Sequence, residues 1–315
     1  MSETVLVVTW RARDLLAETL ESLRRQTRAH RVLVVDNASS DGTAEMLAER
    51  FPEVAVLRTD QNLGFAGGVD AGLALVDTEL VALLNDDAVA EPGWLAALTA
   101  AAGEHPEAAA ITSRLLLTDD GTGARLNNAG VVLLPDGYGA DRGLGEPATA
   151  HPEPGEVFGF SGGAALLRVA AVRAVGGFPA PYFLYYEDTD TSWRLRQAGW
   201  TVRYEPAAVV HHRHSASSDQ NSASFAYWNE RNRLLMHVRC APAGRAARVW
   251  LRFLLTTASL AARRLAGDGP PAGQQQRLLL RARVLVGAVR LLPWAVISRR
   301  RPAHLASIAP PVDSD

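Results

Sequence analysis

Two adjacent aspartates, Asp86 and Asp87, follow the apolar run Leu80–Leu84. Side by side at the end of a buried segment, two carboxylates repel each other and lose hydration unless a cation or several donors compensate. A divalent ion does this well: Mg2+ and Mn2+ favour oxygen ligands and commonly take one or two carboxylates together with substrate phosphates. Other residues with similar capacity are scattered along the chain. Asp36, in VVDNASSDGT, can accept from a ribose hydroxyl or a base N–H, or simply close an Asx turn. Glu187, Asp188 and Asp190 open a helical segment, where the macrodipole favours acids. That field also keeps a carboxylate ionised at neutral pH, as a general base requires. His211, His212 and His214 follow a short extended run. His212 and His214, two apart, would share one face of a strand, and imidazole binds Mn2+ better than Mg2+. Gly64, Gly67 and Gly68, in NLGFAGGVDAGL, permit close backbone approach.

The elements that must position these residues are readable from periodicity. Val5–Val8, Val32–Val35, Val54–Leu57 and Leu80–Leu84 are short apolar runs of the kind buried parallel strands require. Between them lie helical patterns, such as Leu16, Leu20 and Leu23 behind Asp14. Strands alternating with helices imply an α/β fold with a parallel, doubly wound sheet. Ligands of such sheets bind beyond the carboxyl ends of the strands. Thr9 ends the first strand, Asp36 the second, Asn62 follows the third, and Asp86 and Asp87 the fourth, so four strand ends are expected to converge on one rim. Residues 118–156 read as loops and short strands, 157–167 as one strand-like run broken by Gly162 and Gly163, and 188–198 as a helix stopped by Gly199. Thr201–Tyr204 reads as a strand, with His211–His214 as a separate run.

The chain has 315 residues and one cysteine, Cys240, so no internal disulfide can form and a reducing, cytoplasmic setting is expected. No secretion signal or membrane-spanning run is apparent. All 32 basic residues are arginine. Twelve of them lie in residues 241–302, against one acid, Asp268, while the body before them is acidic. Residues 246–266 and 276–298 read as two Arg-studded apolar helices, joined by GDGPPAG. Such a tail can lie in a membrane interface against anionic lipid, or pack as a helical pair on the body. No stacking-and-basic module for nucleic acid is recognisable. The first strand carries no G-x-G-x-x-G, which argues against a dinucleotide-binding oxidoreductase. The complete lack of lysine argues against a sugar-phosphate nucleotidyltransferase, although that class and a non-catalytic nucleotide-sugar-binding protein are the competing readings.

Taken together, VLVVTW, VVDNASSDGT, NLGFAGGVDAG, LLNDDA, SGGAALL, YYEDTDTSWRLRQAGW and VVHHRHSAS resemble the inverting glycosyltransferases of family 2, with the GT-A fold, and rhamnosyltransferase-like members especially. The resemblance covers about residues 3–240. It implies a Rossmann-like, mostly parallel sheet flanked by helices, a catalytic domain over 1–240, a helical appendage over 241–302 and a flexible end over 303–315. It implies nucleotide contacts from Thr9, Trp10, Asp36, Asn62, Gly64 and Asp86, and a Mg2+ or Mn2+ site on Asp87, Asp86 and His212, with His214 as the alternative histidine. Asp188 matches the catalytic base, supported by Glu187. Asp70, Ser161, Gly162, Gly163 and Trp193 would border the donor sugar or acceptor. The expected donor is a dTDP- or UDP-sugar, rhamnose first. The expected acceptor is a glycan, lipid-linked or small-molecule hydroxyl, with an anionic membrane surface as a further partner. The metal motif departs from strict Asp-x-Asp, since Asn85 precedes the pair, and Asp70 stands where many members carry Asn. The Gln-x-x-Arg-Trp signature of processive members is missing, which implies transfer of one sugar at a time.

Overall fold

The computed structural model describes residues 3–117, 123–212, 222–265 and 273–299. The chain runs β1 (Glu3–Thr9), α1 (Arg13–Arg24), β2 (His30–Asp36), α2 (Thr43–Arg50), β3 (Ala55–Arg58), α3 (Gly64–Leu75), β4 (Leu80–Leu84), β5 (Ala88–Ala90), α4 (Trp94–Glu104) and β6 (Ala108–Leu117). It continues through β7 (Leu126–Asn128), β8 (Val131–Leu133), β9 (Gly139–Asp141), β10 (Gly155–Glu156), β11 (Ala164–Arg168), α5 (Val169–Ala174), α6 (Glu187–Gln197) and β12 (Thr201–His212). Three long helices follow: α7 (Ala223–Cys240), α8 (Ala243–Leu265) and α9 (Gly273–Ile297).

Two compact units emerge. The first holds the described residues of 3–133 and 139–212, and is built on a sheet of order β10-β12-β6-β11-β4-β1-β2-β3. Strands β3, β2, β1 and β4 run parallel, as do β6 and β12, while β11 runs against its two neighbours. This is the α/β, mostly parallel sheet that the alternating pattern predicts. Every residue of β1 is buried, because helices cover both faces. Val5 and Val7 join Leu16, Leu20, Leu23 and Trp94 in one core, while Leu6 and Val8 join Val69, Leu73 and Phe160 in the other. The small residues of α3 set its distance from the sheet. A Cβ at Gly68 or Gly72 would fall 2.5 Å from Val8 or Leu6, so only glycine lets the helix lie this close to β1.

The second unit comprises residues 134–138 with the described residues from 222 to 299, and it is helical. Its core joins Leu234 of α7 to Val249 and Phe253 of α8 and to Val284 and Ala288 of α9. The domain boundary expected at 240 therefore falls before α7: Leu234 is buried against α8 and α9, which makes α7 part of the helical unit. No described helix is long and apolar enough to cross a membrane. The end expected to be flexible, 303–315, lies outside the described residues.

Three local expectations change. Residues 157–163 approach β11 as a loop, and only 164–168 form the strand. Thr201–Tyr204 and His211–His212 belong to one strand, β12, whose pairing with β6 slips between Glu205 and Val209. That irregularity hides the continuity from a period-two reading. Strand β6 lies inside the sheet between β11 and β12, within a stretch where the sequence pattern is loose.

Candidate active site

The sheet register explains how residues far apart in sequence come together. Asp87 precedes β5, which pairs antiparallel with β12, with Ala88 opposite His212. The Asp87 carboxylate, 3% exposed, lies with Oδ1 2.9 Å from Nε2 of His212. On the far side of the ring, Asn127 Oδ1 sits 2.8 Å from Nδ1. Asn127 reaches that place because β7 pairs with β6, and β6 in turn pairs with β12 opposite His212. The carbonyl oxygen of Asn127 takes the Nδ1 proton, so Nε2 turns a lone pair toward Asp87 and receives the Asn85 side-chain amide at 3.3 Å. A buried carboxylate facing an imidazole nitrogen whose other nitrogen is fixed by an oxygen is a donor set suited to a divalent cation. Among the described residues no group of three His, Cys, Asp or Glu gathers as a complete metal cage. A cation held by this pair would therefore complete its shell with oxygens from elsewhere, as Mg2+ and Mn2+ do with phosphates. His211 points the other way, to Glu91 at 3.2 Å, which assigns the inward position to His212. His214 lies outside the described residues.

Asp86 faces Thr9 and Trp10 at the end of β1. Burial pushes its carboxyl up to about 7; Asp87 adds to the rise, while the Thr9 hydroxyl and the Trp10 amide oppose it. Burial and the neighbouring charge thus both disfavour ionisation of Asp86. Thr9 is buried at the end of β1, opposite Asp36 at the end of β2, and Trp10 stands exposed beyond them with Arg11 over its ring. Asp36 is fully buried and accepts from the Ser39 amide at 2.9 Å and from Arg58 at 3.0 Å. Arg58 also donates to the Ser39 carbonyl, and the Ser39 hydroxyl accepts from the Arg11 amide at 2.9 Å. The expected Asx turn and a fixed polar floor are therefore the same structure.

The opposite wall is built by residues 161–163 and the start of α6. Because β11 runs against β4, its leading loop arrives where β4 ends: the Gly163 carbonyl accepts from the Asn85 amide at 2.9 Å. The next amide along, Gly162 N–H, donates to Asp188 Oδ2 at 3.0 Å. Asp188 Oδ1 accepts from the Thr189 amide at 2.6 Å and from its hydroxyl at 3.1 Å. Burial raises the Asp188 pKa, and these donors work against the rise by stabilising the anion. Glu187, 5% exposed, is pushed well above its ordinary range by burial and then by its neighbours Asp188 and Asp190. Its ionised form is thereby disfavoured beside Asp188, which three donors surround. The turn into α6 is strained: Phe183, Tyr185 and Tyr186 all have φ near +70°. Gly64 pins this turn, since any Cβ there would lie 2.2 Å from the Phe183 carbonyl oxygen.

The family model for glycosyl transferase family 2 matches residues 4–176, which hold β1–β11, the acids at the rim and the 161–163 loop. The chain belongs to glycosyltransferase family 2. It is 35% identical over 243 residues to an N-acetylglucosaminyl-diphospho-decaprenol L-rhamnosyltransferase of Mycobacterium tuberculosis, covering 70% of this chain and 78% of that one. It is 29% identical over 199 residues to a pre-mycofactocin glycosyltransferase of the same organism, covering 63% of this chain and 40% of that one. Among solved structures, the mannosyltransferase PcManGT of Pyrobaculum calidifontis, in complex with GDP-Man and Mn2+, superposes with a TM-score of 0.53 at 18% identity, covering 92% of this chain and 86% of that one. S. aureus TarS 1–349 in complex with UDP-GlcNAc gives 0.55 at 17% identity, covering 95% and 87%. At those identities the likeness speaks for the GT-A fold.

Within this family 2 chain, two residues expected at the sugar have other work. Trp193 is 5% exposed and packs edge-on against Phe158, with centroids 5.8 Å apart. Five positions along a helix turn its side chain well away from that of Asp188. Asp70 accepts from the Phe178 amide at 3.2 Å and lies 2.3 Å from where a Gly177 Cβ would stand, so it braces that turn. Asn62 caps the Gly64 amide at 2.8 Å, and the Asn37 amide holds the Gly64 carbonyl at 3.0 Å. Both therefore secure the entry to α3. Ser161 donates its amide to Thr112 and accepts from the Gly163 amide at 3.3 Å, in keeping with a turn residue. The sequence reading missed Asn127, Asn85 and Asp141. Asp141, on β9, takes the Asn128 amide at 2.5 Å. The surrounding protein pushes its carboxyl up to about 6, Asp188 adds to this and His212 opposes it, so it stands within electrostatic reach of both walls.

Proposed function

We propose that this chain is a metal-dependent, inverting glycosyltransferase that transfers one sugar from a dTDP- or UDP-sugar, L-rhamnose first, to a hydroxyl of a lipid-linked or glycan acceptor. The observation that carries this reading is the 161–163 loop, whose consecutive backbone groups hold Asp188 on one side and the Asn85–Asp87 turn on the other. A base on one side of this loop and a phosphate-side acid pair on the other is the arrangement this reading requires. The rhamnosyl donor and lipid-linked acceptor draw support from the name of the 35% identical relative. Single transfer draws support from the missing processive signature.

In this reading Asp87 and His212 would hold Mg2+ or Mn2+, which when bound neutralises charge on the departing nucleoside diphosphate. The Asp36–Arg58–Ser39 floor and the exposed Trp10 ring orient the nucleoside. Asp188, fixed by two N–H donors and one hydroxyl, takes the proton of the acceptor oxygen as it attacks from the face opposite the leaving group, which inverts the anomeric centre. Burial disfavours charge on Glu187 and Asp190 is paired with Arg194, which leaves Asp188 as the acid turned to the acceptor. No nucleophile from the protein is required. The reaction takes place at the cytoplasmic membrane face, where a lipid-linked acceptor is found.

The test is a screen of nucleotide sugars for metal-dependent transfer, followed by Asp188→Asn. Turnover is expected to fall about 10²- to 10⁴-fold, the usual contribution of a positioned base, with donor affinity retained. A chain that binds nucleotide sugars equally well before and after the change, and turns over none of them in either form, would be a binding protein.

A further inference from the structure

The described residues of α7, α8 and α9 carry 12 arginines and one acid, Glu230. Several of the arginines are accounted for inside the unit. Arg231 stacks on Trp228, Arg233 pairs with Glu230 at 2.9 Å, Arg239 stacks on Trp294, and Arg281 lies over Phe253. Three on α8 are arranged differently. Arg245, Arg248 and Arg252, at i, i+3 and i+7, line a pocket with Val249, Pro135 and Asp136. Among the described residues no carboxylate forms an ion pair with Arg248 or Arg252. Asp136 leaves the pocket with a surplus of two positive charges, and its Oδ1 is engaged by the Tyr138 amide at 3.2 Å. Arg245 is anchored to the Leu134 carbonyl at 3.2 Å, and burial followed by the nearby Arg248 charge lowers its pKa. Like charges held together at a concave surface are relieved by an anion with several acceptor oxygens, and guanidinium forks match phosphate.

The rest of α8 says where that anion comes from. Ala246, Val249 and Phe253 are buried in the unit's core. Leu251, Leu254 and Leu255 point outward, 55%, 41% and 61% exposed. At 100° per residue the three leucines form a strip opposite the buried face, and the three arginines flank it along one side. An exposed apolar strip bordered by arginines is the pattern of a helix lying in the plane of a lipid interface, with apolar side chains at the acyl boundary and cations among the headgroups. A soluble protein ligand would not need the phosphate pocket, and a free phosphate would not need the leucines.

We propose that the outer face of α8 is a membrane-binding surface in which Arg245, Arg248 and Arg252 receive the phosphate of an anionic phospholipid headgroup while Leu251, Leu254 and Leu255 enter the acyl boundary. The proposal deepens the reading of a lipid-linked acceptor, but its test needs no turnover.

The experiment is flotation of the full-length protein with vesicles of phosphatidylcholine alone and of phosphatidylcholine mixed with phosphatidylglycerol. Binding is expected only to the anionic vesicles and is expected to weaken as salt is raised. R245Q/R248Q/R252Q is expected to lower partitioning about 100-fold, from about 5-fold per lost cation at an anionic surface. L251S/L254S/L255S is expected to lower it while leaving stabilisation by inorganic phosphate, read by thermal melting, unchanged. Circular dichroism checks that both variants keep their helices, and single-arginine variants replace any that do not. Equal binding to neutral and anionic vesicles, no loss in either triple variant, or stabilisation by phosphate without any vesicle binding would each overturn the proposal. If transfer activity is absent but anionic vesicles are bound through these residues, the glycosyltransfer reading fails and this one stands.

Discussion

Replacing Asn127 with alanine removes an acceptor that fixes the His212 ring at Nδ1. The bond is 2.8 Å long and Asn127 is 5% exposed, so the lost partner is not readily replaced by water. Without it His212 is free to take the other tautomer, place its proton on Nε2 and donate to Asp87 instead of offering a lone pair. The partner groups behind metal-binding histidines typically contribute 10- to 100-fold in metal affinity, which corresponds to about 1.4 to 2.7 kcal/mol. The assay is transfer, or donor hydrolysis, titrated with Mn2+. The midpoint is expected to rise 10- to 100-fold while the rate at saturating metal returns to within a few-fold of the parent. Asn127→Asp keeps an acceptor against Nδ1 and is expected to restore the midpoint. An unchanged metal midpoint with a lowered plateau would refute the reasoning, because Asn127 would then act on the sugar and not through His212.

Three other changes separate architecture from chemistry. Asp190→Ala breaks the buried pair with Arg194, 2.7 Å long, which also holds the Val175 and Gly177 carbonyls; stability is expected to drop by about 3 to 5 kcal/mol, read as a lower urea midpoint. Gly64→Ala combines a positive φ with a Cβ 2.2 Å from the Phe183 oxygen, so a loss of at least about 2 kcal/mol and a displaced α6 entry are expected, checked by melting and by donor-independent protease cleavage. His237 in α7 is fully buried, donates to the Gly137 carbonyl at 2.8 Å, and is lowered by burial from 6.5 to about 4. Its neutral form is the folded one, so stability is whole above pH 6.5 and is lost as pH falls through about 4, by roughly 3 kcal/mol at the low end. His237→Gln is expected to flatten that slope in denaturant titrations across pH 4 to 7, and an unchanged slope would place the titration elsewhere.

The half of the site built on strands β1, β2 and β4 was legible in the sequence because each strand is a short, wholly apolar run ending in a polar residue. A parallel sheet puts such ends on one rim whatever the intervening helices do. The other half was less legible for identifiable reasons. β6 reads AAAITSRLLL and pairs with three strands, so it shows neither clean alternation nor flanking turn signals. Asn127 and Asn128 look like turn residues, and only the pairing of β7 with β6 shows one facing His212 and the other holding Asp141. Trp193 looked functional because it lies inside a motif with Asp188, but helical geometry sends neighbours in sequence to different surroundings. The three acids of α6 show the same effect: Asp188 meets the Gly162 amide, Asp190 meets Arg194 and Tyr182, and Glu187 is buried.

The arrangement of the 161–163 loop has a consequence for what the site can discriminate. Asp188 is tied to the Gly162 amide, and the turn carrying Asp86 and Asp87 is tied to the Gly163 carbonyl, so these carboxylates are spaced by backbone and not by long side chains. Backbone spacing is stiff, since neither end can drift without breaking a buried bond or bending β11 away from β4. In the proposed reading, a sugar ring of the right depth meets both ends at once, and the binding free energy then serves alignment for in-line attack. Lengthening that gap is difficult by substitution on the strand side, because Gly162 and Gly163 each face neighbours within 3.0 Å of a Cβ, the Phe65 ring and Leu115. In the same reading, differences in sugar preference among chains with this loop are expected to arise at Asp141, which lies within electrostatic reach of Asp188 and His212.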